Sequence, residues 1–454
     1  MKQNSRKSNL LATIFLLFFL IALLGIAFFA KQIGIHDTGE YIVQAKNLAG
    51  IGNVEPYTFH SIIYPLFLSA FLRIFPALLT IKIINILWLC LIGLTLFIYT
   101  KNTKALLLWI VSPLVWFISI ETTPMLPLSF FFLLAYIFMK EFEEKKKFSL
   151  LLCSGFFLGI TLALWTGALF LVFSFMFFFL WNKSFKQASI YGIFFLLGLS
   201  LQFVVDFIFL DFPFYTLLRY FGGNLYYLVF GIEQQPTLLL LLRMLFFIAP
   251  LCLLILKIDF KKYGREMLLI ASAMLFFYLR GRNPDGFKLA ITFAPMLLLV
   301  VSKVLTKRLF IINTLLAILL TGFFILPPYF TNTADQDVIQ DFKDINKDFG
   351  FEKVIAGKDQ ELLFGSLSWS AKPIFIWWDS YEALQQKEEK EYRYILPKKE
   401  HRIMELSVAF NIETKEEYSK LPLILRKNQE VPPEFTLVKE YKELKVYQPL
   451  NSFH

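Results

Sequence analysis

Long apolar segments separated by short polar ones fill the first 330 residues of this 454-residue chain. Eleven of them are bounded by charges, proline or glycine and are long enough for a helix to cross most or all of a bilayer core of about 30 Å. They cover residues 9–30, 81–100, 105–121, 124–140, 148–165, 166–181, 188–210, 237–257, 266–280, 287–304 and 308–327. The pattern predicts an all-α polytopic membrane protein with about eleven transmembrane helices.

Two apolar segments need separate treatment. The first one follows a basic start, as in a signal peptide, but it exceeds the roughly 7–15 apolar residues of a signal sequence, so we expect a retained span. Residues 61–76 are apolar as well, yet they are few and include Pro65, Arg73 and Pro76. We expect them to form an interfacial or re-entrant helix within a long loop covering residues 31–80.

Residues 331–454 contain too few apolar runs to cross a membrane. Helical spacing of Val338, Phe342 and Ile345 predicts a helix over 337–349. Short runs at 353–356 and 392–396 predict buried strands, and 435–438 with 444–447 predict a closing hairpin. The chain is therefore expected to divide into a membrane domain, 1–330, and a small soluble α/β domain of mixed topology, 331–454.

The distribution of basic residues predicts the orientation in the membrane. Residues 1–330 contain 27 Lys and Arg against 13 Asp and Glu, a net charge of +14. With eleven spans and a cytoplasmic N-terminus, 18 of those 27 basic residues fall in inner loops, as the positive-inside rule requires. The C-terminal domain is then extracytoplasmic. The short loops and the Lys-, Ile- and Phe-rich composition favour a prokaryotic cell membrane over the endoplasmic reticulum.

Composition excludes several classes of function. Hydrophobic residues make up 57% of the chain and charged residues 18%, against about a quarter charged in soluble domains. The basic residues lie between apolar spans, which does not suit a nucleic-acid surface. The three cysteines fall inside apolar runs and the four histidines are scattered, so we predict neither a disulfide framework nor a metal site.

The first outer loop carries the clearest chemical signal. After Asp37, the apolar positions 41, 42, 45, 48 and 49 follow helical spacing and Gly50 ends the run, which predicts a short amphipathic helix at the outer interface. Asp37 and Glu40 lie on one edge of its first turn. The same Asp-x-x-Glu spacing also suits helix capping, and both roles stay open.

A first span followed by Asp37-x-x-Glu40-Tyr41 on an interfacial helix, and then by Tyr64-Pro65 in a second one, resembles the GT-C glycosyltransferases. The family includes the dolichyl-phosphate-mannose-dependent mannosyltransferases and the aminoarabinose transferase of lipid A. Two further motifs are similar: a hairpin with Glu121 at its outer tip, and a basic outer turn from Arg280 to Lys288 before a late span.

The resemblance implies transfer of a sugar from a polyprenyl-phosphate donor to an acceptor hydroxyl on a protein, lipid or glycan. It implies Asp37 as general base, whose pKa burial would raise toward a useful range. Candidate substrate-binding residues are Glu40, Glu121, His60, Tyr64, Arg219, Arg280, Arg282 and Lys288, the last four residues suiting the leaving phosphate. No cofactor is implied, although the residues do not decide whether a divalent cation is required.

Simpler explanations remain for several of these residues. Glu121 could be a solvated residue at the end of a span, and the 280–288 turn could merely anchor two helices. We expect Arg243 to pair with Asp206 at similar depth. The alternative functions are a polytopic transporter or flippase, although no matching inverted halves are present, and a lipid-linked glycan ligase, which is chemically close.

Overall fold

The computed structural model describes residues 2–31, 36–52, 61–121, 123–181, 183–218, 220–221, 242, 260–280, 289–303, 306–356, 374–377, 420–429, 431, 433 and 435–450. Its helices are α1 (Lys2–Phe29), α2 (His36–Leu48), α3 (Ile63–Leu72), α4 (Ala77–Thr100), α5 (Thr103–Val111), α6 (Pro113–Ile118), α7 (Met125–Lys145), α8 (Phe148–Leu164), α9 (Leu169–Leu180), α10 (Phe185–Leu210), α11 (Phe260–Arg280), α12 (Ala294–Ser302), α13 (Lys307–Leu320), α14 (Leu326–Thr331) and α15 (Ala334–Phe349). The strands are β1 (Lys353–Ala356), β2 (Ile374–Trp377), β3 (Leu423–Arg426), β4 (Phe435–Glu440) and β5 (Leu444–Pro449).

Five helical segments of the described chain are long and apolar enough to cross a membrane. They are Asn9–Phe29, Leu79–Thr100, Met125–Lys145, Phe185–Leu210 and the apolar part of Lys307–Phe349. Large apolar side chains stay exposed on their outer surfaces, such as Phe28 at 68% and Phe207 at 60%. Such side chains suit hydrocarbon and not water, so the protein is an integral membrane protein.

Two predicted spans are interrupted, and a third break follows the predicted boundary between the spans 148–165 and 166–181. The span predicted over 105–121 consists of α5 and α6, because Pro113 lacks an N–H and holds Ser112 in an extended conformation. A 3₁₀ turn, Thr166–Ala168, separates α8 from α9. A π-helical turn, Thr321–Ile325, interrupts the last predicted span between α13 and α14. The segment 237–257 lies outside the described residues except for Leu242.

Glycine allows α8 and α10 to pack backbone against backbone. A Cβ on Gly159 would overlap the carbonyl oxygen of Phe195 and lie 2.7 Å from the amide nitrogen of Leu199. A Cβ on Gly198 would likewise overlap the carbonyl oxygen of Phe156. Small residues at such crossings let helices approach closely where lipid supplies no hydrophobic driving force. This close contact holds α10 directly against α8.

A charged network marks one end of the bundle, which we call the basic end. Arg265 at the start of α11 donates two hydrogen bonds to Glu143 of α7, at 2.7 and 3.1 Å. Lys183, just before α10, pairs with the same carboxylate at 3.1 Å. Lys140 of α7 pairs with buried Glu266 at 2.8 Å. The C-terminal end of α7 and the N-terminal ends of α10 and α11 therefore meet at this end.

The C-terminal domain is a mixed five-stranded sheet with one helix against it. Strand order is β2-β1-β3-β5-β4, with β1 parallel to β2 and β3 and the remaining pairs antiparallel. The predicted helical face is confirmed, because Val338, Phe342 and Ile345 of α15 are all fully buried. Strand β1 and the hairpin of β4 and β5 also follow the prediction, whereas residues 392–396 lie outside the described residues.

Asp341 of α15 joins this helix to the hairpin. Its carboxylate is 4% exposed and accepts backbone hydrogen bonds from Lys442, Glu443 and Leu444 at 3.3, 2.6 and 3.0 Å. These three N–H groups belong to the turn between β4 and β5 and to Leu444, the first residue of β5. The helix and the last strand of the sheet are therefore held together by a buried carboxylate.

Candidate functional site

The described backbone of the residues predicted to form the site lies at the end of the bundle opposite to the basic end. Ser61, just before α3, donates a hydrogen bond of 2.8 Å to the carbonyl of Ala163. Ala163 is at the C-terminal end of α8, whose N-terminal end follows the basic end of α7. The loop between α1 and α4 therefore packs on the far end, which we call the domain end because the C-terminal domain also sits there.

Helix α2 begins at His36 and ends at Leu48, as the apolar spacing predicts. Gly50 terminates it with a positive φ of 75°, a conformation that glycine adopts without strain. The amides of Gly50 and Ile51 donate hydrogen bonds of 3.0 Å each to the carbonyls of Asn47 and Lys46. Asp37 thus lies inside the first helical turn and not before it. Its side chain and that of Glu40 lie outside the described residues.

Two hydrophobic cores hold α2 from different sides. Tyr41, Ile42 and Ala45 belong to the core of the membrane part. Val43 is 1% exposed and belongs to the core of the C-terminal domain, together with the apolar face of α15. These four buried apolar side chains on one short helix explain why its backbone is fixed between the two domains. The positions of Asp37 and Glu40 are set by this sandwich.

Lys46 is also buried in this helix, at 4% exposure. Burial lowers its pKa from the usual 10.5 to about 8, because an ammonium group loses hydration when it leaves water. The sequence placed Lys46 on the polar face of an amphipathic helix. Nothing in the sequence pattern indicated that this face of α2 would be buried in the folded protein.

Helix α3 supports α2 from the membrane side. The rings of Tyr64 and Tyr41 meet edge to face with centroids 5.3 Å apart, a favoured aromatic geometry. Tyr64 is only 1% exposed, so its ring contributes to the position of α2. The helix has ten residues, too few for a crossing, in agreement with the predicted interfacial segment. His60 lies outside the described residues.

Glu121 sits at the domain end between α6 and α7. Its carbonyl accepts a hydrogen bond of 2.8 Å from the amide of Asn85, which also binds the carbonyl of Ser119 at 3.0 Å. The residue is 7% exposed, and its carboxylate is close enough to the Tyr329 hydroxyl to interact with it electrostatically. Glu121 is therefore a buried acid and not a solvated one at the end of a span.

The described residues on either side of the basic turn predicted to bind phosphate reach the same end. From Arg265 in the charged network of the basic end, α11 continues for 15 residues, about 22 Å, to Arg280. After the turn, the carbonyl of Ile291 accepts a hydrogen bond of 2.8 Å from Ser129, one turn from the start of α7. The backbone of Arg280 thus reaches the domain end. Its side chain, Arg219, Arg282 and Lys288 lie outside the described residues.

The sequence analysis missed a buried polar network next to this site. Asp206 of α10 is fully buried and accepts hydrogen bonds from the amide and hydroxyl of Thr216, both at 2.9 Å. Gln202, one turn earlier, donates to Asp206 and accepts from Ser61. Arg243, the partner we predicted for Asp206, lies outside the described residues. Polar residues four apart in the apolar run 188–210 were the available signal.

Within the parts of the chain that the structure describes, no group of three or more His, Cys, Asp or Glu side chains could hold a metal ion. The polar groups described at the domain end include hydroxyls, amides, carboxylates and the buried amine of Lys46. Hydroxyls, amides and carboxylates suit recognition of hydroxyl-bearing ligands.

No model of a protein family matches the chain, and no curated protein matches it. Among solved structures, the chain is similar to ArnT from Cupriavidus metallidurans, whose crystal structure contains bound undecaprenyl phosphate. The similarity covers 97% of this chain and 99% of ArnT, with a TM-score of 0.60 and 10% sequence identity. The chain therefore has the fold of ArnT, and the predicted architecture, a helical membrane part followed by a small α/β domain, is confirmed.

Proposed function

We propose that this chain, which has the fold of ArnT, transfers a sugar from a polyprenyl-phosphate donor to an acceptor hydroxyl at the domain end. The observation that carries the proposal is the likeness to a protein with bound undecaprenyl phosphate over nearly the full length of both chains. The acidic first-loop helix, buried Glu121 and the Arg280 end of α11 share that end of the bundle. The sugar and the acceptor are left open.

Asp37 is the general base of the proposed reaction. It removes the proton from the acceptor hydroxyl while that oxygen forms a bond to C1 of the sugar. The bond between C1 and the phosphate oxygen breaks, and its electron pair leaves with the polyprenyl phosphate. The sandwich of α2 between two hydrophobic cores holds the backbone of Asp37 still, which favours a fixed distance to the acceptor. Glu40 and Glu121 orient the acceptor.

The leaving phosphate gains negative charge as the bond breaks, so fixed cations stabilise the transition state. Arg280, Arg282, Lys288 and Arg219 have this role in the proposal. Arginine suits it because its planar guanidinium can bind two phosphate oxygens at once. The hydrogen bond from Ser129 to Ile291 supports the assignment, since it anchors the chain directly after the basic turn.

The domain end is extracytoplasmic in this proposal. The opposite end carries Lys140, Lys183 and Arg265, and basic residues concentrate on the cytoplasmic side of polytopic proteins. Cysteines introduced singly into α15 and into the loop between α7 and α8 would test the orientation. A membrane-impermeant thiol reagent added to intact cells should label only the cysteine in α15.

The function is tested with full-length protein in nanodiscs and radiolabelled sugar on undecaprenyl phosphate. We expect wild type to release or transfer the sugar and Asp37→Asn to be at least about a hundredfold slower, as loss of a general base predicts. Asp344→Asn in α15 is the matched control. It removes one carboxylate at the same end but keeps an oxygen for the hydrogen bond from Gln340.

The outcomes separate the competing functions. If Asp37→Asn transfers sugar at the wild-type rate, the assignment of the base is wrong. If wild type consumes no donor with lipid, glycan or peptide acceptors but moves the intact donor between leaflets, the protein is a flippase. Consumption that occurs only with lipid-linked oligosaccharide donors would identify a glycan ligase.

A further inference from the structure

Gln44 lies on the same face of α2 as Asp37, the predicted general base, and Glu40, a predicted substrate-binding residue. A helix turns about 100° per residue, so residues four and seven positions apart are close in direction. Gln44 follows Glu40 by four residues and Asp37 by seven. The face belongs neither to Tyr41 and Ala45, which enter the membrane core, nor to Val43, which enters the domain core. Gln44 therefore projects between the direction of the membrane core and that of the domain core.

The side-chain amide of Gln44 is buried and has no hydrogen-bond partner among the described residues. The residue is 4% exposed, and neither its Nε2 nor its Oε1 makes a hydrogen bond. One turn later on the same face, the buried Nδ2 of Asn47 lacks a partner too. Three buried polar atoms are thus unsatisfied side by side.

Such an arrangement is costly in a folded protein. A buried polar group without a partner loses its hydration and gains nothing in exchange, while an apolar side chain of the same shape would be neutral or stabilising. Native proteins contain few such groups, and each needs a cause. The other buried positions on this stretch of α2 are apolar, such as Ile42 and Val43, except for Lys46. Gln44 and Lys46 are the two departures from that pattern, and only the two polar atoms of the Gln44 amide are both unsatisfied.

From these observations we infer that Gln44 binds a pair of hydroxyl groups on a sugar or polyol ligand. The inference rests on the proposed function and adds a specificity-determining residue to it. A carboxamide accepts through its oxygen and donates through its nitrogen, so it can bind two neighbouring hydroxyls of a sugar ring at once. The hydroxyls belong either to the donor sugar or to the acceptor, and the experiment distinguishes the two.

Binding is measured first, because it needs no transfer. Full-length protein in nanodiscs is titrated with undecaprenyl phosphate and with its mannosyl, glucosyl, arabinosyl and aminoarabinosyl derivatives. For the derivative that wild type prefers, we expect Gln44→Leu to reduce the preference over bare undecaprenyl phosphate about tenfold, equivalent to ~1.4 kcal/mol. Gln44→Asn keeps the amide but shortens its reach, and it should lose the preference too.

Two controls separate recognition from folding. Gln340→Leu removes an exposed amide from α15 and should leave the preference for the sugar derivative at the wild-type value. The unfolding temperature of Gln44→Leu should equal or exceed that of wild type, because the variant removes an unsatisfied group. A lower temperature with an unchanged binding preference would show a structural role and would contradict the inference.

The remaining outcomes assign the ligand or overturn the proposal. An unchanged donor preference with an acceptor KM raised about tenfold identifies the hydroxyls as those of the acceptor. If both donor preference and acceptor KM stay at wild-type values, Gln44 binds neither and the inference is wrong. Failure of wild type to transfer any sugar contradicts the proposed function, whereas a lost sugar preference in Gln44→Leu would still be observed in the binding titration.

Discussion

Val43 is the side chain through which α2 enters the core of the C-terminal domain, and Val43→Ala tests this connection. The residue is 1% exposed and packs in one cluster with Val338, Phe342 and Ile345 of α15. The substitution removes two buried methyl groups and leaves a small cavity. At about 0.8 kcal/mol per buried carbon plus the cavity, we expect a loss of about 2 kcal/mol.

Hydrogen exchange followed by mass spectrometry measures the effect where it arises. A local loss of about 2 kcal/mol should speed exchange about 30-fold for amides that open locally. We expect this in peptides covering α2 and in those covering the apolar face of α15. Peptides from the contact between α8 and α10 should exchange at the wild-type rate.

Ile42→Ala is the matched control, because the adjacent side chain enters the other core. Ile42 is fully buried in the membrane part. Its truncation should speed exchange in α2 and leave α15 unchanged. If Val43→Ala leaves α15 as protected as in wild type, or if Ile42→Ala exposes α15 equally, the two-sided attachment of α2 is refuted.

Two further predictions concern burial and packing. Because burial lowers the pKa of Lys46 from 10.5 to about 8, the unfolded state binds more protons between these values and stability rises with pH through that window. Lys46→Met should therefore raise the unfolding temperature more at pH 7.5 than at pH 10, and an equal rise at both would contradict the reasoning. Gly159→Ala should reduce the free energy of unfolding by about 1–3 kcal/mol through overpacking and so lower the unfolding temperature. The reason is that the added Cβ would overlap the Phe195 carbonyl. Gly192→Ala on α10 meets nothing within 4 Å and should be neutral or slightly stabilising, so equal losses from both glycines would refute the close-packing argument.

Elements with strong local patterns were predictable from the sequence. Helix α2 followed from its apolar spacing and Gly50, and α15 from a single apolar stripe. Strand β1 and the β4–β5 hairpin were visible as short alternating runs. Strands β2 and β3 were not predicted, since each is stabilised by pairing with strands that are distant in the sequence. Such short apolar runs have no period of their own.

The sequence indicated that the backbone of the candidate acids would share one end of the bundle, but it did not indicate the tertiary connections around them. The sequence placed Asp37, Glu40 and Glu121 on one side of the membrane, because helix count and basic loops determine sidedness. It could not indicate that Gln202 would join Ser61 to Asp206, since those contacts depend on how α8 and α10 cross. The burial of Gln44 could not be predicted either, because it also depends on tertiary packing.

The attachment of α2 to the C-terminal domain has a consequence for biosynthesis. At about 5–20 residues per second, ribosomes need roughly 15–60 s after α2 emerges to produce α15, and still longer for the strands that complete the sheet. During that interval Val43 lacks its packing partners on α15, and the nascent membrane part remains with its first loop incompletely packed. Early stop codons or proteolysis near the C-terminus should thus yield inserted but inactive protein, which a quality-control protease would recognise by the exposed α2.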